Sequence, residues 1–314
     1  MESIIWEDKE VLNKIDWIKK YNGACDKWIS KKPNEISKYY CYFTIEEHKL
    51  FVEEICKKIN LDLSGIGLEI GSGPGIFSNS VIKIFKKIDK IFLLEKVPNV
   101  YSLQKKIAKY NGTENKLVNV LGDFNNIKLP DESLDFILDF DSIHHSENFE
   151  LTFSEISRVL KPGGKLFCFD RGQPNYVTKN QINYLLEIEY SRDYKIENGI
   201  DPKMYFTRKM NGETEPYLKD WSCNGIKNNL SPNIYLFRKK SIKHFLRSLY
   251  GLLVPFIVKK IINKGVNITT HYQSLLSYIN IKKIGGIKVL NLDYSPKLNV
   301  SPNEKMVFLF SKKL

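Results

Sequence analysis

The stretch LEIGSGPG, Leu68–Gly75, decides how this chain is read. A short apolar run ends in a turn with glycine at 71, 73 and 75, and the following IFSNSVIKIFKKI has apolar residues at helical spacing. Strand, glycine turn and helix in that order open an α/β sheet, whose ligands lie beyond the carboxyl ends of the strands. The spacing is G-x-G-x-G. A dinucleotide fingerprint would place glycine or alanine at 76, where Ile76 stands, and a phosphate loop would need a Gly-Lys-Ser/Thr ending that is absent. Glu69, two residues before the first glycine, repels pyrophosphate and suits a ligand bearing an amino group or a sulfonium. The alternative is a glycine turn that only ends a strand.

Outward from this turn, GIGLEI, KIFLLE, KLVNVLG, LDFILDF and KLFCFD are short apolar runs that end in polar or turn residues. Between them GIFSNSVIKIFKKI, VYSLQKKIAKYN and NFELTFSEISRVLK have helical spacing, so a doubly wound α/β sheet is predicted. Residues 1–60 read as a helical cap, with Thr44 and Glu47 placed to form a capping box. After Arg171 the alternation stops and returns only in IKVLNLDY and EKMVFLFSKKL. The expected organisation is therefore a cap at 1–60, a core at 61–171, a basic insertion or lid at 172–280, and the last two strands at 281–314.

Composition narrows the classes. With 314 residues, 42% of them apolar, the chain can bury a sizeable core. Five cysteines without a C-x-x-C pair point to neither a disulfide framework nor a zinc ribbon, and no metal site is expected. The beginning MESIIWEDKEVLNK lacks the pattern of a signal peptide, and no run approaches a membrane span, so a cytoplasmic protein is expected. The net charge of +12 is unevenly distributed: residues 1–170 hold 24 basic and 26 acidic residues, residues 171–314 hold 24 and 10. A segment of that charge favours anionic partners, unless it reflects only the Lys-rich drift of the whole chain.

Two more acids fall at strand ends. Glu95 closes KIFLL, where a carboxylate can accept both hydroxyls of a ribose. Asp123 ends the third run, where it can accept the exocyclic amine of adenine while Phe124 packs on the ring. Each alone can cap a turn. On three successive strand ends they indicate an adenosine-bearing ligand.

With these residues in place, 66–171 resembles a class I S-adenosylmethionine-dependent methyltransferase, through GLEIGSGPG, LLEK, LGDFNNIKLPDESLDFILDFDSIHH and ISRVLKPGGKLFCFD. The resemblance implies a seven-stranded Rossmann-like sheet with an antiparallel last strand, and S-adenosylmethionine as cofactor. It sets Glu69, Gly71, Ser72, Gly73 and Gly75 against the methionine part, Glu95 and Lys96 at the ribose, and Asp123 and Phe124 at the adenine. Asp139 lies on the strand that passes the methyl donor. LKPGG becomes a tight turn before the fifth strand, with positive backbone angles at Gly163 and Gly164.

The chemistry implied is in-line attack on the sulfonium methyl, which needs alignment more than a base. Where a base is used, DFDSIHH is the place, with His144 or His145 taking a proton and Asp141 orienting an amine or hydroxyl. Structural packing of one imidazole and turn capping by Asp141 are the alternatives. Tyr39, Tyr40 and Tyr42 are candidate lid residues, or part of a helix seam. Glu213 and Tyr217 are candidate substrate contacts, or part of a solvated loop. The basic SIKHFLRSLYGLLVPFIVKK either packs on the protein, as at a homodimer interface, or lies on an anionic membrane surface. The expected acceptor is a small molecule methylated at oxygen or nitrogen, with sugars, phosphorylated intermediates and secondary metabolites in view. RNA methylation through the basic half, and a non-catalytic cofactor-binding subunit, are the alternatives.

Overall fold

The computed structural model describes residues 1–41, 43–146, 148–172, 230–237, 287–290 and 304–312. Its elements run β1 (Glu2–Ile5), α1 (Lys9–Leu12), α2 (Asp16–Ile29), α3 (Pro33–Cys41), α4 (Ile45–Lys58), β2 (Gly65–Ile70), α5 (Ile76–Ile84), β3 (Ile88–Glu95), α6 (Val100–Asn111), β4 (Leu117–Leu121), β5 (Leu134–Phe140), α7 (Phe149–Val159), β6 (Leu160–Gly172), β7 (Leu230–Phe237), β8 (Ile287–Leu290) and β9 (Glu304–Lys312). The chain divides into two compact units. One comprises Met1–Asp170, Asn224–Tyr235 and Val307–Leu314, the other Arg171–Cys223 and Leu236–Met306.

In the first unit the strand order is β1-β4-β3-β2-β5-β6-β9-β7. From β2 the chain winds through β3 to β4 on one side and through β5 to β6 on the other. The carboxyl ends of β2 and β5 therefore flank the point where the order reverses, which is where doubly wound sheets bind ligands. Pairing is parallel from β1 to β6. The sheet as a whole is mixed, as expected for a Rossmann-like methyltransferase sheet. All five residues of β4 are buried, and β2 is buried from Gly67 to Ile70, which explains why these strands read as continuous apolar runs. The closing strand β9 is anchored by Phe310 against Phe153 and by Lys312 Nζ, which donates to Leu160 O at 2.8 Å.

Three features differ from the sequence-based picture. First, β1 adds an edge strand in register Glu2↔Val118 to Ile5↔Leu121. Its four residues are mostly exposed and have no alternating pattern, so main-chain pairing alone holds it. Second, LKPGG does not precede the fifth strand but lies inside β6, where the register jumps from Leu134↔Leu160 to Phe136↔Lys165. Only Gly163 has positive φ, at 77°; Gly164 is required because a Cβ there would stand 2.8 Å from Lys161 O. Third, a strand falls within the 172–280 segment, since β7 lies beside β9 in the sheet. The capping box at α4 forms as read: Thr44 N donates to Glu47 Oε2 at 2.8 Å, and Glu47 N to Thr44 Oγ1 at 3.3 Å.

Candidate functional site

The glycine turn leaves β2 with Gly71 at φ 56°, a left-handed conformation that a side chain rarely adopts. A Cβ at Gly71 would also stand 2.6 Å from Ser142 Cβ, because Ser142 Oγ donates to Gly71 O at 2.7 Å. The turn after β2 and the loop after β5 are thus fastened together. We expect Gly71→Ala to lower stability by roughly 2–4 kcal/mol through backbone strain plus this clash, read from urea unfolding. By contrast, nothing lies within 4 Å of a Cβ built on Gly73, so the backbone there faces open space. From below, Gln104 Nε2 donates to Ser72 Oγ (2.9 Å) and to Gly73 O (2.8 Å).

Glu69 is buried on β2. Its Oε2 accepts the Ser78 N–H at 3.1 Å and the Ser78 hydroxyl in a shorter contact, so the carboxyl caps the first turn of α5. Burial pushes its pKa up to about 8 against the pull of those bonds. Glu95 ends β3 and gathers three backbone donors: Gly73 N on Oε2 at 2.9 Å, and Lys96 N and Val97 N on Oε1 at 2.8 and 3.1 Å. Its pKa is also raised, because desolvation outweighs the three N–H groups. The carboxylate predicted to hold a ribose therefore also ties the ends of β2 and β3.

Asp123 pairs with Lys96 Nζ at 2.5 Å and accepts Asn125 N at 2.8 Å. The adenine-side acid and the predicted ribose-side lysine form one ion pair across the ends of β3 and β4, a link the sequence reading missed. Phe124 is half-buried beside them. Asp139 is fully buried; its Oδ1 accepts Ser142 N (3.1 Å) and Ile143 N (2.8 Å), so it holds the loop after β5. Burial and the neighbouring Asp170 hold its pKa well above the ordinary carboxylate range.

In that loop Asp141 adopts φ 61° and its N–H donates to Phe169 O at 2.8 Å. His145 N donates to Ser142 O at 2.9 Å, and the His145 side chain is exposed. The His144 side chain lies outside the described residues, as do Tyr42, Glu213 and Tyr217. Tyr39 is 52% exposed and stacks on Trp28 with ring centroids 4.1 Å apart. Tyr40 turns inward, its hydroxyl 3.7 Å from Cys25 Sγ, and packs with Ile36, Val97 and Val100 in the core that joins α2 and α3 to α6. Burial raises the pKa of Tyr40 and brings that of Cys25 to about 11, and Glu95 adds to both. The N-terminal helices therefore reach the Glu95 end of the site, where two hydrophobic clusters seat them.

Two residues went unnoticed in the sequence. Tyr101 Oη is buried with no hydrogen-bond partner among the described residues, and the charge of Glu95 raises its pKa after burial does. His48 is fully buried on α4, with Nδ1 2.9 Å from Ser80 Oγ. The Ser80 hydroxyl also lies 3.1 Å from Ile76 O. Nε2 has no hydrogen-bond partner among the described residues. Burial depresses the His48 pKa to about 4, so the ring is neutral at neutral pH. In the sequence His48 occupies the helix stripe of Ile45, Val52 and Ile55, which reads as core. Only a polar residue on an apolar stripe signals it.

An open glycine backbone, a carboxylate at the next strand end and an orphaned hydroxyl beside it fit a nucleoside-bearing cofactor with a compact cationic end. Sheet order and pairing are those of a doubly wound α/β sheet with its open turn at the carboxyl end of β2. Residues 68–168 match the family model described as a methyltransferase domain. Demethylmenaquinone methyltransferase of Oceanobacillus iheyensis is 25% identical over 141 residues, covering 45% of this chain and 59% of that protein. Sterol 24-C-methyltransferase of Aspergillus fumigatus is 33% identical over 99 residues, covering 31% of this chain and 25% of that protein. The chain thus spans less than two thirds of the curated relatives it matches. Among solved structures, geranyl diphosphate C-methyltransferase of Streptomyces coelicolor A3(2) aligns at TM-score 0.46 and 13% identity, over 86% of this chain and 80% of that one. No helix among the described residues is long and apolar enough to cross a membrane.

Proposed function

We propose that this chain transfers the methyl group of S-adenosylmethionine to a small-molecule acceptor. The observation that carries this reading is the convergence of the open Gly73 backbone and the Glu95 carboxylate, joined by a 2.9 Å hydrogen bond, at the carboxyl ends of β2 and β3, beside the point where strand order reverses. In this reading the turn Gly71–Gly75 receives the methionine part, Glu95 accepts the ribose hydroxyls, and Tyr101 Oη donates into the same cluster. Asp123 accepts the adenine amine while still paired with Lys96. The bound cofactor supplies an electrophilic methyl group on a sulfonium.

The chain's own residues do the rest. Asp139 fixes the loop after β5 through two backbone N–H groups, and Ser142 clamps that loop to Gly71, so the wall nearest the acceptor is preset. Tyr40 and the N-terminal helices cover the Glu95 end and restrict water there. Demethylmenaquinone and sterols are the acceptors named for the relatives, and their hydrophobic character supports a small organic acceptor over a nucleic acid. Calorimetric titration of the protein with S-adenosylmethionine and S-adenosylhomocysteine tests the reading: micromolar binding of both is expected, and heat indistinguishable from dilution for both would end it.

A further inference from the structure

The buried stripe of α6 is Val100, Leu103, Gln104, Ile107 and Ala108, an apolar face interrupted by one amide. Gln104 is fully buried beneath the glycine turn, where its Nε2 donates to Ser72 Oγ at 2.9 Å and to Gly73 O at 2.8 Å. A carbonyl oxygen only accepts, so the group facing Gly73 O is the NH2 and the orientation of the amide is fixed. Its other end, Oε1, is buried with no hydrogen-bond partner among the described residues. An unpaired buried oxygen works against stability, so what the amide contributes here is its two donated bonds. Those bonds complete the pairing of the turn. The Ser72 N–H donates to Leu94 O at 3.0 Å, the Ser72 carbonyl accepts Gly75 N at 2.8 Å, and the Gly73 N–H is held by Glu95. An amide NH2 has no lone pair to offer, so Ser72 Oγ is the acceptor in its contact with Gln104. The Ser72 hydroxyl hydrogen is therefore the one polar hydrogen of Ser72 and Gly73 left unspent among the described residues, and the Gly73 backbone beside it faces open space.

We infer that Gln104 is a positioning residue for the amino-acid end of the cofactor, holding the Ser72 hydroxyl as a donor to the ligand's carboxylate. The inference rests on the S-adenosylmethionine reading of the turn and adds to it the amide below. The sulfonium and the ammonium of that ligand are cations and accept nothing, whereas its carboxylate is a strong acceptor that meets a hydroxyl in a charge-assisted hydrogen bond. A serine free to rotate can spend its hydrogen on a nearby carbonyl, as serines in turns do. With Nε2 of Gln104 fixed on its oxygen, Ser72 keeps the hydrogen for an acceptor on the ligand. Ser72 is 5% exposed, so that bond forms with little competition from water.

The test is calorimetry on the full chain with S-adenosylhomocysteine and S-adenosyl-3-thiopropylamine, the amine that keeps the adenosine, the thioether and the ammonium and lacks only the carboxylate. Wild type is expected to bind S-adenosylhomocysteine more tightly than the amine. Gln104→Met keeps the side-chain length and removes both donated bonds. It should bind S-adenosylhomocysteine about 10- to 100-fold more weakly than wild type, the range for a hydrogen bond to a charged group, and the amine within about twofold. Ser72→Ala should show the same split, and the double variant should lose no more than either single one, because both changes break the same path. Should Gln104→Met fail to fold, Ser72→Ala decides: the split is expected, and unchanged affinity for S-adenosylhomocysteine would overturn the inference. Equal losses for both ligands in Gln104→Met would assign the amide a purely structural role, and additive losses in the double variant would place it on a path that bypasses Ser72; either result overturns the inference. A wild type that binds the amine as tightly as S-adenosylhomocysteine would also overturn it while leaving the adenosine site standing. One that binds neither ends the cofactor reading, and this inference with it.

Discussion

Glu95→Ala is expected to weaken S-adenosylmethionine binding by at least about 5-fold and up to about 1000-fold, measured by calorimetry against the wild type. The lower figure follows from losing hydrogen bonds between a carboxylate and ribose hydroxyls, about 1–3 kcal/mol. The upper figure follows from what Glu95 does without ligand. Its two oxygens hold the N–H groups of Gly73, Lys96 and Val97, so truncation releases the glycine turn and the entry to α6 together. Glu95→Gln separates the two contributions. The amide keeps one acceptor oxygen for the backbone but loses the charge, so its loss should stay near 10-fold. Because burial raises the Glu95 pKa, wild-type affinity should also fall as pH drops and the carboxylate takes up a proton, and in Glu95→Gln this dependence should flatten. An affinity unchanged in Glu95→Ala would mean that the end of β3 does not face the cofactor.

How much of this was readable in the sequence depends on what each residue answers to. The strands β2, β4 and β5 were legible because they are buried on both faces and therefore continuously apolar. β1 was not, because an edge strand held by main-chain bonds leaves no pattern in its side chains. Glu69, Glu95 and Asp123 were legible as acids at strand ends, since strand, turn and acid are all local. Their partners were not. Glu95 meets Gly73 across 22 residues, Lys96 meets Asp123 across 27, and Ser142 meets Gly71 across 71. Those contacts depend on which strands become neighbours, and one sequence read alone does not state that. His48 fails for a different reason: its helix stripe is satisfied by burial, and only the structure shows that its Nε2 has no partner among the described residues.

Glu69→Gln is expected to flatten the pH dependence of stability. Burial raises the carboxyl from its ordinary 4.5 to about 8, so the folded chain holds this proton more tightly than the unfolded chain does. The stabilisation is therefore fully present below pH 4.5, declines as pH rises, and is lost once pH passes about 8. Across that window the loss should amount to a few kcal/mol, since every tenfold difference in proton affinity between the folded and unfolded chain is worth about 1.4 kcal/mol. Gln at 69 does not titrate, and its carbonyl can still accept from Ser78, so its stability should stay level where the wild type declines. Urea midpoints of both proteins between pH 5 and 9 read the difference directly. The contribution of Asp139 is common to both and cancels in the comparison. Parallel curves would mean that Glu69 is ionised in the unliganded protein at neutral pH. A divergent pair would mean that it is protonated there, and that a cationic ligand arriving at the glycine turn must displace a proton, so its binding should release one into the buffer.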